Sequence, residues 1–170
     1  MPGCGKSTIG RQLARQRQLP FLDVDHEIER VLGCSIREFF DREGEEAFRE
    51  LEQRVLGELL ADSAFAVIST GGGSVLRPAN RLALRGASTV VYLRTMPDDL
   101  ARRLSRDTHR PLLQVADPRQ RLRELFAVRD PLYRETAHMV VETAHKSANM
   151  LVNLLSMQLD MTSSPAQDVE

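Results

Sequence analysis

The sequence predicts an α/β domain built on a parallel sheet, and three features carry that prediction. Strand-like and helix-like segments alternate along the chain, the pattern of helical crossovers between parallel strands. Residues Gly3-Cys4-Gly5-Lys6-Ser7-Thr8 open a helix and supply most of the phosphate-loop pattern G-x-x-x-x-G-K-[ST]. Three glycines, Gly71 to Gly73, follow a buried apolar segment, a turn that lets backbone approach a ligand closely.

Each element has its own signal. After the phosphate loop, Ile9, Leu13 and Ala14 form an apolar helical stripe while Arg11, Arg15 and Arg17 stay polar. Residues 20–25 read as a short strand running into charge, and 26–32 as a brief helix ended by Gly33. Ser35 and Glu38 match a capping box, so a second helix starts there. Over 45–60, Phe48, Leu51, Val55 and Leu59 share one helical face. Residues 64–69 form a buried strand that ends on Thr70 and the glycines; 78–84 are helical, 89–93 a strand and 97–106 a helix. Residues 107–118 are polar, carry Pro111 and Pro118, and read as a loop. A helix over 119–129, a last strand over 139–142 and a closing helix over 146–159 complete one domain of residues 1–159, with 160–170 a polar, frayed tail.

Composition excludes several classes. The 170 residues suffice for one domain with a real core. Lys and Arg number 23 against 24 Asp and Glu, so no basic excess marks a nucleic-acid partner. No apolar run approaches the ~20 residues of a membrane span, and no signal-peptide pattern is present. Cys4 and Cys34 form no metal or redox spacing, so a cytoplasmic location is expected.

The chemistry concentrates at a few places. In a phosphate loop, backbone N–H groups and the helix dipole hold phosphate oxygens, Lys6 reaches the β- and γ-phosphates, and the Ser7 hydroxyl ligates Mg²⁺. Cys4, in that electropositive setting, is expected to be the more reactive thiol. Asp23 and Asp25, two apart at a strand's carboxyl end, are expected on one side of the sheet: one near the metal shell, one accepting a proton from a substrate hydroxyl. Asp25 could equally cap the helix that follows. Arg49 and Glu52, at i and i+3, read by themselves as a surface ion pair. Arg110, flanked by His109 and Arg106, sits where a mobile lid could close on a γ-phosphate, or where a charged loop is simply solvated. Arg129 falls at a predicted helix end, where a cation is favourable without any function.

Taken in order, the phosphate loop, Phe-Leu-Asp-Val-Asp at 21–25, Gly-Glu-Glu-Ala-Phe-Arg-Glu-Leu-Glu at 44–52, Thr-Gly-Gly-Gly-Ser-Val at 70–75, Arg-Pro-Leu-Leu at 110–113 and Arg-Asp-Pro-Leu-Tyr at 129–133 resemble the shikimate kinase family over residues 2–158. The resemblance implies a P-loop kinase three-layer sandwich with strand order 2-3-1-4-5 and a mobile lid at about 107–118. It implies transfer of the ATP γ-phosphate to the 3-hydroxyl of shikimate, in the chorismate pathway, with Mg²⁺, by a monomer with no nucleic-acid or membrane partner. It assigns Asp25 as base and substrate ligand, and Arg49 and Arg129 to the shikimate carboxylate. The backbone of Gly71, Gly72 and Gly73 lies near the ring. Ser7 and Asp23 serve the metal, Lys6 and Arg110 the transferring phosphate, and Gly3, Cys4, Gly5 and Thr8 the nucleotide phosphates. Arg103 and Lys146 line the adenine. Another small-molecule kinase of this fold, acting on a sugar acid or a nucleoside monophosphate, and a catalytically impaired binding domain are the competing readings. The family's first strand and the opening glycine of its loop have no counterpart here, so Met1 reads as an internal methionine and the fold is expected to be less stable than one with that strand.

Overall fold

The computed structural model describes residues 1–62, 65–104 and 117–163. In chain order these form α1 (Lys6–Gln16), β1 (Phe21–Asp23), α2 (Val24–Leu32), α3 (Ile36–Asp62), β2 (Val67–Ser69), a short 3₁₀ turn (Ser74–Leu76), α4 (Pro78–Ala87), β3 (Val91–Arg94), α5 (Pro97–Leu104), α6 (Pro118–Thr136), β4 (Met139–Glu142) and α7 (Ala148–Ser163).

The strands are parallel, as the alternation requires, but they form two pairs rather than one sheet. β1 runs beside β2 with Phe21 opposite Val67, and β3 beside β4 with Val91 opposite Met139. No ladder joins β2 to β3 among the described residues. These are the pairs that the order 2-3-1-4-5 leaves adjacent when its first strand is taken away.

Successive strand residues face opposite ways, so both sheet faces are covered. Val67, Val91 and Leu93 pack into a core with Ile9, Leu13, Leu100, Leu122 and Leu155. Ile68 and Val90 pack the other way, against Val24, Ile28, Phe48, Leu56 and Leu84.

Local rules fix many element ends. Ser35 Oγ accepts from the Glu38 amide at 3.2 Å while the Ser35 amide donates to Glu38 Oε2 at 2.9 Å, a reciprocal capping box. Gly33 closes α2 in the left-handed region at φ 66°. Three boundaries differ from the sequence reading. α2 starts at Val24, because the Asp23 side chain caps it by accepting from the Asp25 amide. The two helices expected over 35–60 are continuous except for a kink at Gly44 (φ 83°, ψ 176°). α6 begins at Pro118 behind an Asp117 cap and runs past Pro131 to Thr136, where an end at 129 was expected. Proline removes one helical bond. Contacts from outside hold the helix on both sides of it: Asp130 accepts from Tyr92 Oη and Arg94 Nε, each at 2.9 Å, and Tyr133 Oη donates to the Gly72 carbonyl at 2.6 Å. Residues 160–163 of the expected tail continue α7. Residues 107–116 of the expected loop, and 164–170, lie outside the described residues.

Candidate active site

The phosphate loop takes a shape only glycine accepts readily. Gly3 and Gly5 hold φ of 75° and 93°, and a Cβ on Gly3 would stand 2.6 Å from Leu104. The first turn-closing bond of α1 runs from the Ile9 amide to the Gly5 carbonyl at 2.9 Å. The amides of Lys6, Ser7 and Thr8 precede it, which makes the helix mouth an anion site. Ser7 Oγ donates to Asp23 Oδ2 at 3.2 Å, tying the head of α1 to the end of β1. A hydroxyl and a carboxylate oxygen side by side at a phosphate site fit Mg²⁺, which keeps waters and phosphate oxygens as its other ligands.

Beside this mouth, charged groups from three helices converge on the glycine turn. A Cβ on Gly71 would lie 2.8 Å from Asp25 Oδ1 and 3.0 Å from Glu52 Oε1. One on Gly72 would meet Arg129 Nη1 at 3.2 Å, and one on Gly73 would strike the Arg49 guanidinium. The glycines are thus the floor on which Asp25 (α2), Arg49 and Glu52 (α3) and Arg129 (α6) meet. Glu52, 1% exposed, accepts from Arg49 Nη1 at 2.6 Å and from Ser74 Oγ at 2.6 Å. Those bonds fix the Arg49 fork over the turn. Arg129 is 9% exposed, in mid-helix.

Electrostatics separates the acids. Burial raises the Asp25 carboxyl above its ordinary 3.8; Lys6 pulls it down, while Asp23, Glu52 and Glu29 push it up. Burial also lifts the Tyr133 phenol to about 12, so it stays a hydrogen-bond donor. At the far side of the phosphate loop, Arg103 Nη2 donates to the Thr143 carbonyl at 3.2 Å and Lys146 Nζ to the Glu142 carbonyl at 3.0 Å, bringing both cations to the end of β4.

A family model described as shikimate kinase matches residues 2–159. The chain belongs to the shikimate kinase family. The shikimate kinase of Paracidovorax citrulli is 53% identical over 163 residues, covering 95% of this chain and 89% of that protein. The shikimate kinase of Ralstonia nicotianae is 51% identical over 159 residues, covering 94% of this chain and 83% of that protein. Among solved structures, shikimate kinase from Acinetobacter baumannii in complex with shikimate superposes with a TM-score of 0.89 at 44% identity, covering 96% of this chain and 90% of that one. The fold is that of the shikimate kinase P-loop structures.

Within that family frame, the structure brings together Lys6, Ser7 and Asp23 at the loop, and Asp25, Arg49, Gly71–Gly73 and Arg129 at the turn. Arg110 lies outside the described residues. Three expectations are corrected. Asp25 stands on the first turn of α2, not on the strand; Asp23 is the cap. Arg129 is not at a helix end, so dipole compensation does not account for it. Glu52 is not a surface partner of Arg49 but the most buried charge of the site. The sequence held the signal for Glu52: it lies four residues from Phe48 and three from Val55, inside the apolar stripe. Tyr133 was quoted only as part of a motif, and its bond to Gly72 rests on a contact 61 residues apart in sequence.

Proposed function

We propose that this chain phosphorylates the 3-hydroxyl of shikimate with ATP, giving shikimate 3-phosphate and ADP. The observation that carries the substrate is the convergence of Arg49 and Arg129 on one glycine turn, across from the raised carboxyl of Asp25. Two guanidinium forks suit a small carboxylate bidentately. A carboxylate within reach of the ring hydroxyls suits proton acceptance. Phosphoryl transfer asks mainly for positioning and charge neutralisation, which this site supplies from rigid helices.

In this reading, the α1 amides and Lys6 hold the β- and γ-phosphates. The 3-hydroxyl oxygen forms a bond to the γ-phosphorus as the bond to the β–γ bridging oxygen breaks, and its proton passes to Asp25. Arg110 closes over the transferring group, and Arg103 and Lys146 flank the base. Ser7 and Asp23 would hold Mg²⁺, which supplies charge neutralisation to the phosphates when bound. We further place the enzyme in the cytoplasm as a monomer. Two free cysteines support that compartment. No helix of the described residues is long and apolar enough to cross a membrane.

The test is phosphorus NMR of the purified chain with MgATP and, in separate reactions, shikimate, gluconate and AMP. A phosphate monoester forming with shikimate alone is the expected result. Product with gluconate or AMP instead, or shikimate binding without any turnover, overturns it.

A further inference from the structure

Between the two strand pairs lies a slot. β2 bounds it on one side, and Val90, Val91 and Leu93 on the other, around a cavity of about 250 Å³. Ile9 and Leu155 close it from one face and Leu60 and Leu84 from the other. Both flanking strands carry a ladder on their outer side only. Ser69 Oγ, on a residue 6% exposed that lines the slot, has no hydrogen-bond partner. Met1 lies at the same slot, 3% exposed, and its ammonium donates to Tyr133 Oη at 3.2 Å. Burial lowers the pKa of that ammonium, so it gains from an anionic neighbour.

We propose that this slot binds an extended apolar peptide of about five residues, entering as a parallel strand between β2 and β3 with its terminal carboxylate against the Met1 ammonium. Direction follows from the walls: β2 runs into the glycine turn beside the phosphate loop, so a parallel strand ends at Met1. Composition follows from the faces: helices cover both, and a strand buried on both faces is apolar throughout rather than alternating. The class follows from the edges. A hydrocarbon chain would fill the volume but leave the strand N–H and C=O groups and Ser69 Oγ without partners, at a cost that a peptide backbone avoids. The proposal does not depend on the activity above, and its readouts are independent of turnover.

The experiment titrates the full 170-residue chain with the synthetic peptide Lys-Lys-Val-Ile-Leu-Val-Gly, its lysines outside the slot for solubility. Calorimetry should give saturable one-to-one binding, and a saturating dose should raise the melting temperature by about 5–10 °C. Hydrogen exchange should slow at the amides of β2 and β3 and not on the outer edges of β1 and β4. Amidating the peptide's carboxyl end should weaken binding about tenfold. Lys-Lys-Val-Pro-Leu-Pro-Gly, which lacks two ladder donors, should not bind. The proposal is overturned by no binding, by equal binding of the proline peptide, by protection at the outer edges, or by lauric acid producing the same shift.

Discussion

Asp25 is where burial and charge compete most directly. Its carboxyl is raised by burial and by three acidic neighbours, against the pull of Lys6. A raised carboxyl holds its proton more tightly when folded than when unfolded. It therefore favours the fold below the ordinary 3.8, and that contribution is lost as pH rises through the raised folded value. At neutral pH the ionised group weakens the fold that positions it. Asp25→Asn should lower kcat by about 10²–10⁴-fold, because the amide cannot take the hydroxyl proton. The same variant should melt higher at pH 7, and the acid limb of the parent's kcat/KM profile should lie above 3.8. Unchanged turnover would remove Asp25 as the base, and a lower melting point would remove the account of its burial. The two thiols reverse their expected order. Cys4 is 4% exposed whereas Cys34 is half-buried. A thiolate must be reached to react, so iodoacetamide followed by peptide mass mapping should find Cys34 modified first; earlier loss of Cys4 would restore the electropositive loop as the controlling factor.

At the scale of elements, the site is a turn read by three helices. Gly73 has no room for a side chain under the Arg49 guanidinium, so Gly73→Ala should displace the fork that Glu52 holds. Losing one charge-assisted contact to the substrate carboxylate raises the shikimate KM by about 10–100-fold, with the ATP KM unchanged. A parallel loss in ATP affinity would mean that the turn supports the whole molecule and not the acid's pocket. α6 is placed by Asp130. Burial alone would raise that carboxyl, but hydrogen bonds from Arg134, Tyr92 and Arg94 outweigh it and hold it below 3.8. Asp130→Ala should cost about 1–3 kcal/mol in denaturant unfolding, since it strips partners from groups on β3 and α6. Elements governed by neighbouring residues were legible: the loop glycines, the capping box at Ser35 and the stop at Gly33 each obey a local rule. What was not legible is set by distant contacts. A helix continues through Pro131 because the sheet holds Asp130 and Tyr133, and Glu52 is buried because Ser74 and Arg49 satisfy it. Composition and spacing have no access to either.

Across the whole molecule the described residues divide between two cores. One gathers α1, α5, α6, α7 and the β3–β4 pair; the other gathers α2, α3 and α4 beside the β1–β2 pair. The sequence anticipated parallel strands and covered faces but not this division, which depends on strand pairing and not on periodicity. The proposed carboxylate clamp draws one arginine from each side: Arg49 on α3 and Arg129 on α6. A ligand held by both couples the two halves, because it binds only where both are in place. Shikimate added to the chain without nucleotide should therefore slow amide exchange in Val55 and Leu56 of one core and in Leu122 and Leu125 of the other, residues that do not touch the turn. Arg129→Ala should abolish the effect in both cores together, although only one of them has lost a side chain. Protection confined to α3, or surviving in one core of the variant, would show that shikimate is held by one side alone.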